Sequence, residues 1–357
     1  LVGGNGNDSL TAQAGSNSFS VSSGGVANLD SSLTLSGFET INLGAGVDTS
    51  SLQGGFSGTI DLGAGNDSVT LESGGSAGTI AGGSDSDTLS FNASANSLSF
   101  GASGSGSGQS TNFTSFETVN LLGGDDNASF NGAFAGSVDL GDGNDTATIN
   151  TGGSTTNLAG GAGTDTLNTN SSANSLTLSG ADGGSVDGTS ITSFETLNLA
   201  AGNDTVTVAS GGSLSGNLNL GDDTNSLTLQ VGAGSLASVT GGSGSDTVLL
   251  QGGSISDALN AGDGSNSLTV SGSNASVGSY QGGSGNDAIT LNGGTIFGNV
   301  VLGDGTNSLL ISSTNSSIGG AVSFGSGSAD ALSYAGYGTA LNLTLNTSTS
   351  LAATKAP

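Results

Sequence analysis

Short acidic turns recur along this chain, and each places a carboxylate among glycines. The turn Gly63-Ala64-Gly65-Asn66-Asp67 is typical of them. Its glycines let the backbone adopt positive φ angles and turn carbonyl oxygens toward one point, and Asp67 adds a carboxylate. Calcium takes about six to eight oxygen ligands in a loose geometry, which carbonyls and carboxylates of two neighbouring turns supply. The turns therefore predict a series of Ca²⁺ sites.

Fourteen turns of this kind follow one another at intervals of about 20 residues, or about twice that. Self-similarity at a fixed period of this length is typical of solenoids, in which stacked coils bury a continuous core. We expect about one Ca²⁺ per turn. The terminal residues of the turns, which are the predicted metal ligands, are Asp8, Asp48, Asp67, Asp87, Asp126, Asp145, Asp165, Asp204, Asn225, Asp246, Asn266, Asp287, Asn307 and Asp330.

A second acidic position accompanies the turns that end in asparagine. Wherever the terminal residue is Asn, an Asp stands three positions earlier. A random acidic composition would hardly couple the two positions three times. We interpret the pattern as a carboxylate that has moved within the turn. It predicts further metal ligands at Asp222, Asp263 and Asp304.

Strands on both sides must hold each acidic turn in place. After Asp67, Val69 and Leu71 alternate with Ser68 and Thr70, as a half-buried strand requires. A second alternating strand precedes the turn, so each coil has two strands, one acidic turn and one plain Ser/Gly turn. The predicted fold class is all-β, a right-handed parallel β-solenoid (β-roll or β-helix) of about 18 coils of about 20 residues, with one calcium-binding acidic edge.

A longer period divides the solenoid, which we place at residues 1–330. Residues 1–205 repeat in steps of about 78 residues, and we expect four coils in each step. Residues 205–330 follow a two-coil period of about 41 residues. Residues 331–357 lack an acidic turn, and their alternating stretch from Ala340 to Leu345 predicts a terminal strand or cap before a loose tail.

One coil in each 78-residue step lacks an acidic turn. These coils share an Asn-Ser pair followed by Phe or Leu, beginning at Asn17, Asn96 and Asn174. They also hold the least regular segments, and residues 101–114 are expected to form a bulging loop. A Phe-Glu-Thr marker also recurs at the 78-residue step. We interpret its glutamates as solvated strand residues beside a buried Phe: Glu39, Glu117 and Glu195.

The charge balance limits the partners of the chain. Its 28 acidic residues face a single basic residue, Lys355, and the net charge is −27. Nucleic acid and anionic membrane surfaces are therefore excluded as electrostatic partners. Most of the aspartates lie in or beside the turns, so about one Ca²⁺ per turn would cancel nearly all of the charge.

Composition also limits the chemistry. The chain has no Cys and no His, which excludes disulfides, thiol catalysis and zinc-thiolate sites. It has no Arg to stabilise an oxyanion, so we do not expect an enzyme. No apolar run is long enough to insert in a membrane, and no signal peptide is recognisable. Because many weak sites suit millimolar Ca²⁺, we expect an extracellular or bacterial cell-surface location.

At these turns the chain resembles the hemolysin-type calcium-binding (RTX) repeat family. It is most similar to the calcium-dependent β-solenoid repeats of giant bacterial surface adhesins. Residues 61–80 follow that pattern, with the calcium turn ending at Asp67, the far turn at Gly74-Gly75 and a returning strand at Thr79-Ile80. The resemblance covers about residues 1–330 and implies the fold and calcium binding. It does not specify a function, because this scaffold serves many secreted proteins.

The expected function is structural. A calcium-stabilised rigid rod that associates head-to-tail would build an extracellular filament, a surface layer or a matrix. The main alternative is the shaft or ligand-binding region of an adhesin, for which cell-surface polysaccharide is a candidate partner. Ice binding and polysaccharide modification are less favoured. The fourteen turns lack a regular threonine ladder, and the chain lacks cationic groups for a uronate.

Overall fold

The structure is a computed structural model that describes residues 1–102, 104–326 and 329–334, and the backbone of 352–355. These residues form strands and turns without any helix, so the described part of the chain also has no helix suited to crossing a membrane. Successive strands pair in parallel from coil to coil. The fold is an all-β parallel solenoid, which confirms the predicted fold class.

In the part of the chain that the structure describes, thirty-nine strands alternate with turns. The strands of the first half are β1 (Ser9–Thr11), β2 (Ser18–Val21), β3 (Ala27–Leu29), β4 (Leu33–Leu35), β5 (Thr40–Asn42), β6 (Thr49–Leu52), β7 (Gly55–Ala64), β8 (Ser68–Leu71), β9 (Ser76–Ser84), β10 (Thr88–Ser90), β11 (Ser97–Phe100), β12 (Gly106–Gly108), β13 (Thr111–Thr114), β14 (Thr118–Asn120), β15 (Asn127–Phe130), β16 (Ala133–Asp142), β17 (Thr146–Ile149), β18 (Ser154–Ala162) and β19 (Thr166–Asn168). Those of the second half are β20 (Ser175–Gly180), β21 (Gly183–Val186), β22 (Thr189–Thr192), β23 (Thr196–Asn198), β24 (Thr205–Val208), β25 (Leu214–Gly221), β26 (Ser226–Leu229), β27 (Ser235–Gly241), β28 (Thr247–Leu250), β29 (Ser254–Gly262), β30 (Ser267–Ser271), β31 (Ser276–Gly282), β32 (Ala288–Asn292), β33 (Thr295–Ile296), β34 (Val300–Val301), β35 (Ser308–Ile311), β36 (Ser317–Ile318), β37 (Val322–Ser323), β38 (Ala331–Tyr334) and β39 (Ala352–Lys355).

The chain divides into two compact units. The first comprises Leu1–Leu167 and Gly188–Ser193, and the second comprises Asn168–Asp187 and Phe194–Pro357. This division does not coincide with the change of period near residue 205. Both units together contain about 14 coils, fewer than the 18 expected from the sequence. The difference arises because some half-coils take up many more residues than others.

The coils of the first unit are built from two sheets. Sheet 1 contains β1, β5, β7, β9, β11–β13, β15 and β17, and sheet 2 contains β2–β4, β6, β8, β10, β14, β16, β18 and β22. In sheet 2, Ser50 pairs with Val69 and Leu52 with Leu71 in parallel register. Val69 and Leu71 are buried, whereas Ser68, which precedes Val69 in β8, is exposed. The predicted alternation is therefore confirmed.

Three-stranded antiparallel meanders interrupt the regular coils of this unit. In sheet 1, β11, β12 and β13 pair antiparallel with one another, and β13 and β11 pair in parallel with the preceding and following coils. Strands β2, β3 and β4 form a similar meander in sheet 2. The segment 101–114 thus contains two paired strands, and the prediction of a bulging loop is wrong.

Aromatic side chains fill the core beside the second meander. The Phe100 ring stacks on Phe130 with centroids 4.8 Å apart, and Phe113 and Phe134 meet it edge-on at 5.9 and 5.0 Å. All four rings are buried. Such pairs add about 0.5–1.5 kcal/mol each beyond burial of their area. The cluster therefore anchors the meander to the following coils.

The acidic turns of the first unit lie at two opposite edges. Turns that end at Asp48, Asp67 and Asp87 lead from sheet 1 to sheet 2, whereas those that end at Asp126 and Asp145 lead from sheet 2 to sheet 1. Because a coil crosses each edge once and always in the same direction, the two sets of turns occupy different edges. The prediction of one acidic edge is wrong for this unit.

The exchange of edges follows from the length of the 78-residue step. Between Asp48 and Asp126 the chain passes along a sheet seven times, and two such passes make one coil. The seven passes are β6, β7, β8, β9, β10, the β11–β13 meander and β14. The step therefore contains three and a half coils, and the prediction of four is wrong. An odd number of half-coils carries the next acidic turn to the opposite edge.

The second unit is more regular. One of its sheets contains β23, β25, β27, β29, β31, β33, β34, β36 and β37, and the other contains β20, β21, β24, β26, β28, β30, β32, β35, β38 and β39. All its acidic turns, from Asp204 to Asp330, lead from the former sheet to the latter and share one edge. Strand β39 pairs with β38, so Lys355 belongs to a strand. The predicted closing strand at residues 340–345 lies outside the described residues.

Candidate metal-binding ladders

The terminal residues of the acidic turns form hydrogen-bonded ladders along the edges. Each backbone N–H donates to the side-chain oxygen of the corresponding residue one coil further on, as Asp48 does to Oδ1 of Asp67 at 2.7 Å and Asp67 does to Oδ1 of Asp87 at 2.9 Å. The side chain of each turn thus fixes the backbone of its neighbour. The described residues contain three such ladders of four or more residues, which bring together most of the predicted metal ligands.

The three ladders begin at residues that the sequence analysis did not identify as ligands. The first ladder is Asn17, Asp48, Asp67, Asp87 and Glu117. The second ladder is Asn96, Asp126, Asp145 and Asp165. The third ladder is Asn174, Asp204, Asn225, Asp246, Asn266, Asp287, Asn307 and Asp330.

In eight buried ladder aspartates, one carboxylate oxygen has no partner among the described residues. The Oδ1 atoms accept the hydrogen bonds of the ladder, but the Oδ2 atoms are enclosed and accept none. The side chains themselves are at most 2% exposed. A buried, unpartnered carboxylate oxygen is costly unless a cation or a donor meets it. The aspartates with this property are Asp48, Asp67, Asp87, Asp126, Asp145, Asp204, Asp246 and Asp287, and Oδ2 of the half-buried Asp8 shares it.

Glycines keep space free beside several of these oxygens. A Cβ atom at Gly241 or Gly282 would collide with Oδ2 of Asp246 or Asp287, and one at Gly82 would approach Oδ2 of Asp87 to 2.7 Å. Any larger residue would therefore fill the space next to the unpartnered oxygen. The sequence thus maintains both the carboxylate and room around it.

Burial makes seven of these aspartates reluctant to ionise. It raises the pKa of Asp126 to about 7, against hydrogen bonds from Asn96 that lower it, and the charge of Asp145 adds to the rise. Burial likewise raises the pKa of Asp87 to about 6, with smaller contributions from Asp67 and Glu117. The pKa values of Asp67, Asp145, Asp204, Asp246 and Asp287 are also raised, in each case mainly by burial. A cation at Oδ2 would reverse this preference.

Asparagine side chains occupy the same position at the start of each ladder. The Nδ2 atom of Asn17 donates to the carbonyl oxygens of Gln13, Gly15 and Leu43 at 3.0, 2.7 and 2.9 Å, and it lies 3.2 Å from Oδ1 of Asp48. Asn96 and Asn174 make corresponding contacts. Each NH₂ group is therefore surrounded by oxygens. The recurring Asn-Ser pair was the available signal for these residues.

The asparagines inside the third ladder behave in the same way. Nδ2 of Asn266 donates to the carbonyl oxygens of Gly262 and Gly264 at 3.0 and 3.4 Å, and Nδ2 of Asn307 donates to Gly303 at 3.0 Å. Their Oδ1 atoms accept the ladder bond as aspartate does. Nδ2 of each of these asparagines therefore satisfies backbone carbonyl oxygens of its own turn.

The additional aspartates of the Asn turns lie elsewhere. Asp222 and Asp263 are exposed, and each Oδ1 accepts hydrogen bonds at 2.8 Å from the backbone N–H and the hydroxyl of a serine one coil further on, Ser243 and Ser284. Asp304 bonds the N–H and hydroxyl of Ser326 similarly. These bonds lower the pKa of all three aspartates. The structure thus gives them partners other than a metal, and their role as ligands stays a prediction.

Glutamates of the Phe-Glu-Thr markers take part in ladder contacts. Oε2 of Glu117 accepts the backbone N–H of Asp87 at 2.9 Å, and Oε2 of Glu39 accepts that of Asp8 at 2.8 Å. Both side chains are exposed, as expected, but they are not merely solvated. Glu117 is the last residue of the first ladder. Glu39 and Glu117 therefore have a structural role that the sequence pattern did not indicate.

The donor set around the ladders suits a hard divalent cation. Every available ligand is an oxygen, from a carboxylate or a backbone carbonyl, which is the set that calcium prefers. No group of three or more acidic side chains that can hold a metal occurs among the described residues. Any ion would therefore depend on the backbone oxygens that the turn presents, together with Oδ2.

No protein-family model and no curated protein matches this chain. Among solved structures, it is similar to a hyperactive, Ca²⁺-dependent, β-helical antifreeze protein from an Antarctic bacterium. The two are 18% identical over 92% of this chain and 84% of the other, with a TM-score of 0.30. At this TM-score the likeness supports no conclusion about function.

Proposed function

We propose that this protein is a secreted, calcium-stabilised structural protein of the bacterial cell exterior, related to the RTX repeat proteins. The observation that carries the proposal is the series of buried Oδ2 atoms without partners along the ladders. One such atom is a local defect, but the same atom recurring from coil to coil requires a common explanation. A bound cation at each Asp turn supplies it.

The asparagine contacts indicate which atoms would hold the ion. The NH₂ group of Asn17 donates hydrogen bonds to two carbonyl oxygens of its own turn and to one of the next coil. It also lies beside Oδ1 of the next ladder residue. At Asp48 the corresponding atoms are the carbonyl oxygens of Gly44, Gly46 and Leu62 and Oδ1 of Asp67, and Oδ2 of Asp48 replaces the NH₂ group. Such a site joins two coils, so each ion would stabilise the stacking.

A structural role agrees with the rest of the chain. Self-association into an extracellular filament, surface layer or matrix is the role we favour, and the shaft of an adhesin is the alternative. The chain has no His, Cys or Arg. The Oδ1 atoms of the ladder aspartates already accept hydrogen bonds from the backbone of the neighbouring coil. We therefore propose no catalytic activity.

Calcium titration tests the proposal. Adding Ca²⁺ to chelated protein should raise the β-type circular dichroism and the Tm steeply, because each occupied site adds about 2.7 kcal/mol at a hundredfold excess over its Kd. Magnesium at the same concentration is the matched control for charge screening, since it demands a stricter geometry and gives up water reluctantly. Equal Tm values in EDTA and in calcium would contradict the proposal.

A pair of variants localises the ions. Asp145→Asn should lower the number of bound Ca²⁺ ions by one, because its Oδ2 is buried and unpartnered. Asp142→Asn removes the same charge from an exposed position of the same turn and should leave the number unchanged. Calcium content per chain, measured after equilibrium dialysis, distinguishes the two. Equal loss in both variants would show that charge alone attracts the ions.

A further inference from the structure

We infer that the carboxamides of Asn225, Asn266 and Asn307 stand in for the cation, so that metal-holding and metal-free turns alternate along the third ladder. The inference rests on the proposed calcium binding and specifies which turns take part. In this ladder Asp and Asn alternate from Asp204 to Asp330. It therefore predicts about half as many ions as turns.

The hydrogen bonds of the two kinds of turn carry the inference. Asp246 and Asn266 are both buried, and each donates its N–H and accepts with Oδ1 in the same ladder. They differ at the remaining atom. Oδ2 of Asp246 has no partner, whereas Nδ2 of Asn266 donates to the carbonyls of Gly262 and Gly264. The amide thus presents two N–H donors to oxygens that would otherwise need a positive charge between them.

The remaining acidic residue of each Asn turn does not restore a metal site. The Oδ1 atom of Asp263 accepts two hydrogen bonds from Ser284, and the side chain is exposed. An ion there would have to compete with these donors. The recurrent Asp three residues before Asn is thus explained as a clamp on the serine of the next coil. It replaces the coil-to-coil link that the missing ion would provide.

The decisive variant is Asn266→Asp. It creates three consecutive ladder aspartates, which the first ladder already has at Asp48, Asp67 and Asp87. We expect one additional Ca²⁺ per chain by equilibrium dialysis and elemental analysis, a lower Tm than the unaltered protein in EDTA, and recovery of the Tm in calcium. Asn292→Asp, which adds the same charge at an exposed strand end, is the control and should gain no ion.

Two further variants keep the test decisive if Asn266→Asp does not fold. Asp246→Asn should lose one ion and gain Tm in EDTA, since its amide would reach the carbonyls of its own turn. Asp263→Asn should lose none. An unchanged count in Asn266→Asp or Asp246→Asn, or loss of an ion in Asp263→Asn, would overturn the inference while leaving calcium binding intact. Absence of any bound Ca²⁺ in the unaltered protein would instead overturn the proposed function as well.

Discussion

Within a ladder turn, the choice between Asp and Asn exchanges one oxygen for an NH₂ group. Both residues accept the ladder bond through Oδ1, so the backbone of Asp246 and Asn266 is held alike. Of these two residues, only Asp246 leaves a buried carboxylate oxygen without a partner. At the scale of single residues, the need for a cation is therefore decided by one atom per turn.

The raised pKa values predict how pH affects the metal-free protein. The pKa of Asp126 is about 7 in the fold, above the value of about 3.9 for an unperturbed Asp. Between these values the folded state binds more protons than the unfolded state, so stability falls as pH rises. In EDTA the Tm should decrease from pH 5 to pH 8, and Asp126→Asn should weaken that dependence.

Calcium should reverse the trend, since the ligand must be deprotonated and apparent affinity then rises with pH. The measurement is thermal unfolding by circular dichroism at several pH values, in EDTA and in calcium. A Tm in EDTA that increases steadily toward pH 8 would contradict the role assigned to burial.

At the scale of the element, the acidic turn depends on close contact between stacked backbones. Gly65 has a φ of +138°, and a Cβ there would collide with the carbonyl oxygen of Gly46 in the preceding coil. Gly152, in a plain turn, also has a positive φ, +79°, but a Cβ there would meet no atom within 4 Å. Substitution at Gly152 would therefore introduce backbone strain alone, whereas substitution at Gly65 would also introduce steric overlap.

Alanine substitution should distinguish these two effects. Gly152→Ala should cost about 1 kcal/mol, the strain of a left-handed backbone alone. Gly65→Ala should cost about 3 kcal/mol, because it adds overpacking against Gly46. Chemical denaturation in saturating calcium measures both. Equal losses would mean that the coils can separate enough to admit a methyl group.

The acidic turns and their flanking strands were predictable because both leave periodic signals. The turn repeats its glycines and Asx residue, and the strands alternate as at Val69 and Leu71. The exchange of edges was not predictable in the same way. Both faces of a coil show the same alternation, so a half-coil offset leaves no trace in hydrophobicity. The meander also contains β12, whose sequence Gly-Ser-Gly shows no alternation of apolar and polar side chains.

The members of the ladders were only partly predictable. Asn17 bonds Asp48, a residue 31 positions away, and Asn96 bonds Asp126 at a separation of 30. A search at the 20-residue period does not connect such pairs, because an inserted meander lengthens the interval. Likewise, the sequence showed that Asp263 accompanies Asn266, but only the contact with Ser284 shows where its side chain goes.

At the scale of the whole molecule, the net charge of −27 governs association between copies. Without cations, copies of the chain repel one another, and bound Ca²⁺ removes much of that repulsion. We therefore expect self-association in millimolar calcium and monomers in EDTA. Light scattering and electron microscopy of the purified chain measure the difference.

A shortened chain that lacks residues 340–357 is the matched comparison, because the alternating segment 341–345 is the candidate joining strand. It should remain monomeric in calcium. If the full chain is itself monodisperse and monomeric at high concentration, and the shortened chain behaves no differently, the filament proposal fails. The adhesin shaft then becomes the better explanation.

The placement of the meanders in the first unit has a mechanical consequence. Each meander adds two strands to one sheet only, which lengthens that sheet by about 10 Å relative to the other at a spacing of about 4.8 Å per strand. An excess of strands in one sheet would curve the stack toward the other, shorter sheet. The first meander extends sheet 2 and the second extends sheet 1, so their bending effects oppose each other. Within the first unit, the lengthening caused by one meander therefore offsets the lengthening caused by the other.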